Sequence, residues 1–150
     1  MSDSQFDLDS FLPYRLHQAS EAVSEAFRSV YRDQYGMSRT EWRVLAHLGQ
    51  HGPMTATQIG AAAAARLHKT KISRAVRELE NRRWLKRTVA DKDRRVQLLE
   101  LTSSGRAAYT KLGELAHNYN LELARKLGAR HFKQSMDMIE KLSQLAGQKQ

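Results

Sequence analysis

Within one short stretch the chain carries His68, Lys69, Thr70, Lys71, Ser73, Arg74 and Arg77, and a little further on Lys86, Arg87, Lys92, Asp93, Arg94 and Arg95. Apart from Asp93, these are hydrogen-bond donors, most of them positively charged, with hydroxyls between them. Such a set suits the recognition of a polyanion, in which guanidinium and ammonium groups meet phosphates and a few shorter side chains meet base edges. It does not suit bond-making. The nearby carboxylates, Asp91 and Asp93, sit among arginines at a turn tip, where neither is placed for acid–base work. The sequence has no G-x-S-x-G, no P-loop, no G-x-G-x-x-G and no H-E-x-x-H, so an enzyme is not expected.

Charge distribution sharpens this reading. The 150 residues have a formal charge of +9. Residues 66–95 hold twelve Lys/Arg against four Asp/Glu, whereas residues 1–65 are slightly acidic and residues 96–150 only mildly basic. A positive field concentrated in one fifth of the chain points to nucleic acid as partner. With no cysteine there is no disulfide, no thiolate metal site and no cysteine redox sensor. The N-terminal "MSDSQFDLDS" has neither a basic nor an apolar signal region, and no segment is apolar enough to span a bilayer. A cytoplasmic location and no membrane association are therefore expected.

The basic residues need a rigid support, and the apolar spacing supplies one. Ile72, Val76 and Leu79 recur at i, i+4 and i+7, predicting a helix from about Lys69 whose opposite face carries the cations. The period then changes. "WLKRTVA" and "VQLLELT" are short and rich in Val, Leu, Trp and Thr, with polar "DKDRR" between them, predicting a β-hairpin. Upstream, Ser38–Glu41 and Thr55–Gln58 read as capping boxes. The first opens a helix burying Trp42, Leu45 and Leu48 and ending at "HGP". The second opens a helix through Ile59 and the alanine run Ala61–Ala65.

Longer helices flank this centre. Leu12, Leu16, Ala19, Val23, Phe27 and Val30 mark one up to Tyr35, with Pro13 in its first turn and Gly36 as its stop. Thr102 caps another, with Tyr109, Leu112, Leu115, Tyr119, Leu123 and Leu127 on one face. After Gly128 a last helix carries Phe132, Met136, Ile139, Leu142 and Leu145. The order helix, turn, helix, hairpin is that of a winged helix-turn-helix. The predicted fold class is thus mainly α with a small β-hairpin wing. The predicted organisation is an N-terminal dimerisation helix (1–37), a winged DNA-binding module (38–101) and C-terminal dimerisation helices (102–150), forming one intertwined domain. The terminal helices show apolar stripes that the small module cannot cover, so burial across a two-fold axis is expected.

The stretch "KTKISRAVRELENRRWLKR…DKDRRVQLLELTSSG" resembles the MarR family of transcriptional regulators, whose wing reads D-x-R, a short apolar strand, then L-T-x-x-G. Here these are Asp93, Arg95, Leu101, Thr102 and Gly105. The resemblance implies a homodimer on a palindromic operator in double-stranded DNA. Residues 68–71, 73, 74 and 77 would lie in the major groove. Arg95 would enter the flanking minor groove, helped by Lys92 and Arg94 and braced by an ion pair from Asp93. Thr70, Ser73 and Arg74 are expected at base edges, and Arg77, Lys86 and Arg87 at phosphates.

Two departures from the family pattern stand out. The segment between Ile59 and Ile72 is about two residues longer than usual. Arg83 falls where the family often has Gly, so either Arg bears a left-handed backbone at a cost of about 1–2 kcal/mol or the helix ends differently. The resemblance also implies a small anionic or aromatic effector, with Tyr14, His17, Trp42 and Arg43 as lining residues and Arg43 facing its carboxylate. His47 and His51 lie i, i+4 on one helix without a third ligand, and no metal or cofactor is expected. Repression released by the effector is the expected role. The alternative is a sequence-neutral architectural nucleic-acid binder.

Overall fold

The computed structural model describes residues 5–62 and 68–147. After a single 3-10 turn (Leu8–Ser10) come α1 (Leu12–Tyr35), α2 (Arg39–His51), α3 (Ala56–Ala62), α4 (Lys69–Asn81), β1 (Leu85–Val89), β2 (Gln97–Leu101), α5 (Ser103–Leu127) and α6 (Ala129–Gly147). This is the expected class, six helices and one antiparallel hairpin. Two compact units meet within α5, dividing between Lys111 and Leu112.

In the first unit several helix ends have a chemical reason that the sequence displays. α1 stops at Gly36, whose φ of 62° is left-handed and whose N–H returns to Arg32 O at 2.7 Å. Both capping boxes are reciprocal. Ser38 Oγ accepts the Glu41 N–H while Glu41 Oε2 accepts that of Ser38, and Thr55 and Gln58 do the same. Positions 63–67, which include the last three residues of the alanine run and part of the segment whose spacing departs from the family, lie outside the described residues.

The core forms where α4 lies on α2. Ile72, Ala75, Val76 and Leu79 of α4 are buried, as are Val44, Leu45 and Leu48 of α2, Ile59 of α3, and Leu85, Leu99 and Leu101 of the hairpin. Trp42 is only half-buried, against the expectation that its ring is core. The hairpin pairs Leu85 with Leu101 and Val89 with Gln97. Its far edge is not free. Met54, between α2 and α3, exchanges both backbone hydrogen bonds with Leu99, at 2.8 and 3.1 Å. One short bridge thus sews the helical half of the module to the ribbon, and no periodicity in the sequence announces it.

The junction between α4 and β1 decides where the wing starts. Arg83 has φ 61°, so its backbone is left-handed and the strained alternative is the one realised. The turn is held from the other end of the hairpin. Thr102 Oγ1 donates to Arg83 O at 2.6 Å and accepts the Gly105 N–H at 3.1 Å, and the Thr102 N–H donates to Trp84 O at 3.0 Å. Gly105 lies against the Trp84 carbonyl so closely that a Cβ would collide with it. The L-T-x-x-G motif is therefore a clasp in which Thr caps α5 and grips the turn, while Gly permits the approach. Beside it Arg82 sits 5.2 Å over the Trp84 ring and 4.0 Å from buried Glu41, and Tyr35 meets Trp84 edge-on. Arg83→Gly is expected to raise the unfolding free energy by about 1 kcal/mol, since it relieves the left-handed penalty. Gly105→Ala is expected to lower it by about 1–3 kcal/mol by overpacking. Urea denaturation of both variants checks the pair.

Candidate nucleic-acid interface

Helix α4 presents two unlike faces because its apolar residues keep to one stripe. With Ile72, Ala75, Val76 and Leu79 inward, Lys69, Thr70, Lys71, Ser73, Arg74 and Arg77 are all exposed, and His68 stands exposed at the N-cap position. The His68 side chain makes no capping hydrogen bond. The positive end of the helix dipole adds to Lys69 and Lys71. A 13-residue helix is about 20 Å long, and such a rod fits the major groove of B-DNA. Within this set the orientations differ. Lys71 and Arg74 also line a groove of about 420 Å³ between α4 and the start of α2, with Ser38, Arg39, Thr40 and Glu78 among its walls.

The wing tip is built by its own backbone. Ala90 N–H donates to Val96 O and Val96 N–H to Asp93 O, both at 3.0 Å. Asp93 Oδ1 accepts the Arg95 N–H at 3.0 Å. The expected ion pair between Asp93 and the Arg95 guanidinium is not formed. The carboxylate instead satisfies the nearest backbone donor, two residues on, as Asp commonly does in turns. Asp93 thus shapes the loop and leaves the Arg95 side chain unrestrained. Lys92, Arg94 and Arg95 are exposed.

Ion pairing divides the basic residues into two groups. Among the described residues Lys69, Lys71, Arg74, Arg77, Lys92, Arg94 and Arg95 form no ion pair. Lys86 faces Glu100 across the hairpin at 3.7 Å, and Arg87 binds Glu80 at 2.8 Å. Among the basic residues expected at DNA, the unpaired ones are those of the α4 surface and the wing tip. The two residues expected at phosphates from β1 are engaged within the protein.

A second concavity lies between α1 and α2. Trp42 and Arg43 line a cleft of about 100 Å³ with Ser24, Phe27, Tyr31 and Arg39. Trp42 stacks on Tyr31 with centroids 6.1 Å apart and leans on Phe27 at 5.6 Å. Tyr14 and His17, nearer the start of α1, do not line this cleft. The sequence reading missed Arg39. Its guanidinium donates to Glu21 at 2.9 Å. That hydrogen bond lowers the Glu21 carboxyl pKa and raises that of Arg39. Only its place directly after Ser38, as the first residue of α2, could have flagged it. His47 and His51 have ring centroids 6.1 Å apart, with His47 Nδ1 at 2.7 Å from Arg43 O. Among the described residues no group of three or more metal-ligating side chains occurs.

The model of the MarR family matches residues 35–96, which run from the end of α1 through the wing tip. No curated protein sequence matches the chain. Solved structures match along nearly its full length. A MarR family transcriptional regulator from Silicibacter pomeroyi is 28% identical, with 92% of this chain and 98% of that one covered and a TM-score of 0.76. A MarR/EmrR family regulator from Acinetobacter sp. ADP1 is 19% identical, covers 96% and 100%, and has a TM-score of 0.82. NadR in complex with 4-hydroxyphenylacetate is 21% identical, covers 91% and 98%, and has a TM-score of 0.78. The stretch from the end of α1 through α2–α4 to the wing tip is thus similar to the MarR family, and solved MarR family structures share the fold along nearly the whole chain.

Proposed function

We propose that the protein is a homodimeric, sequence-specific DNA-binding regulator that represses from a palindromic operator and is released by a small aromatic acid. The observation that carries this reading is the cluster of seven exposed cations without an ion pair among the described residues, on one face of α4 and at the tip of the wing: Lys69, Lys71, Arg74, Arg77, Lys92, Arg94 and Arg95. A rod with donors on one face suits the major groove, and a projecting arginine suits the narrow minor groove beside it. Thr70 and Ser73 are the shorter groups expected at base edges. Lys69 and Arg77 are the longer ones expected at phosphate. Arg74, on the α2 side of the helix, is open to either role.

Dimerisation is supported in each unit separately. In the first, Phe6, Leu8, Phe11, Leu12, Leu16 and Val23 are exposed. In the second, Leu121, Leu127, Met136, Met138, Ile139 and Leu145 are exposed. Apolar surface in such amounts calls for a partner, and a second copy supplies one with closed symmetry. Two-fold symmetry places the half-sites roughly 10 bp apart. A cytoplasmic location suits this role, and none of the described helices is long and apolar enough to cross a membrane. The reading is of a binding protein, not an enzyme.

The cleft between α1 and α2 supports an effector site. It offers aromatic faces at Phe27, Tyr31 and Trp42 and two guanidiniums at Arg39 and Arg43, a combination that fits an aromatic ring bearing a carboxylate. A hydroxylated aromatic acid of the kind that NadR holds is the expected class. A ligand favouring a different spacing of the two α4 helices would weaken operator affinity.

Gel shifts of a random duplex library under salt titration test the main reading. A specific regulator keeps a large preference for one inverted repeat at every salt concentration, whereas a sequence-neutral binder loses all duplexes alike. Arg95→Ala should weaken operator binding while leaving stability within about 0.5 kcal/mol of the parent. Arg74→Ala should reduce discrimination by ~1–3 kcal/mol if it reads a base, whereas equal loss on random DNA would make it a phosphate contact. For the cleft, calorimetry with 4-hydroxyphenylacetate is expected to show binding that Arg43→Gln weakens by about tenfold or more. No heat with the parent protein would remove this ligand class.

A further inference from the structure

Arg87 joins two parts of the basic surface that the chain builds separately. It stands on β1, and two of its nitrogens approach Glu80 Oε1 in the last turn of α4, Nε at 2.9 Å and Nη2 at 2.8 Å. Its remaining terminal nitrogen donates to Gln97 Oε1 on β2 at 3.1 Å. One guanidinium therefore ties the end of the helix to both strands of the wing. Glu80 continues the line Thr70, Ser73, Arg77 along α4, spaced alternately by three and four residues, so it lies on the stripe proposed to face DNA. An unpaired carboxylate there would repel the phosphates that Arg77 attracts. Held by Arg87, it is neutralised and serves as an anchor.

We propose that Glu80 and Arg87 are positioning residues that hold the wing at a set angle to α4, and so set the separation between the groove-reading helix and the wing tip. This replaces the expectation that Arg87 touches phosphate, and it rests on the DNA-binding reading above. The pair braces a side of the junction that the other contacts leave open. The helix passes to the strand through one left-handed residue, Arg83, Thr102 grips the base of the ribbon, and the Met54–Leu99 bridge holds β2 to the segment between α2 and α3 and not to α4. The Glu80–Arg87 pair lies one step further out, where a small change of angle becomes a larger displacement at Arg95. A pair this exposed adds little to stability, so its effect should show in binding geometry rather than in unfolding.

The experiment compares the full-length parent protein, Glu80→Gln, Arg87→Gln and the exchanged double variant E80R/R87E on one selected inverted repeat with A/T-rich or G/C-rich flanks. Each single variant should lose about tenfold in affinity together with the preference between flanks, at a nearly unchanged melting temperature, and the exchange should restore both to within about threefold. The inference is overturned if the exchange remains as weak as Arg87→Gln while the slope of log affinity against log salt falls by about one, as for a lost phosphate contact. Single variants that bind like the parent would overturn it as well. A parent protein that binds no duplex would instead remove the functional reading, before any variant is compared.

Discussion

The burial of one stripe of α4 against α2 is the constraint on which the rest depends. Ile72, Val76 and Leu79 are each no more than 4% exposed, and burial of such side chains contributes roughly 1.5–3 kcal/mol apiece. That packing fixes the rotation of the helix about its axis. Once the apolar stripe faces inward, the cations between its members have nowhere to go but out. The basic face is thus a consequence of core packing, and no separate interaction is needed to display it.

The wing depends on the same helix through its end. Asn81 finishes α4, Arg83 turns left-handed, and the ribbon leaves at an angle that Thr102, Gly105 and the Trp84 carbonyl hold from below. An L-residue in a conformation better suited to glycine persists because its neighbours over-determine it. Its carbonyl is taken by Thr102, its N–H by Glu80 O, and the flanking Arg82 by Trp84 and Glu41. Strain at one residue is tolerated where so many contacts share the turn.

Electrostatics separates the tasks of residues that look alike. Lysines and arginines with acidic partners, such as Lys86 and Arg87, brace the hairpin. Those without partners on α4 and at the wing tip keep their hydration and their reach. In the α1–α2 cleft Arg39 is held by Glu21, while Arg43 lines the same space. A guanidinium already bound to a carboxylate and one still open to bind are different chemical objects, although the letter code writes them identically.

By itself the sequence determined whatever rests on local chemistry. Capping boxes at Ser38 and Thr55, the stop at Gly36, the apolar period of α4 and its switch to strand are short-range patterns, because a helix repeats every 3.6 residues and a strand every two. The concentration of charge, on which the proposed class of partner rests, was equally legible. Only the tertiary structure decided what depends on residues far apart in the chain. These are the Met54–Leu99 bridge, the left-handed Arg83 under the grip of Thr102, the use of Asp93 for a backbone donor, and the capture of Arg87 by Glu80. A side chain's partner is set by which groups folding brings within about 3 Å of it, and sequence order does not record that distance.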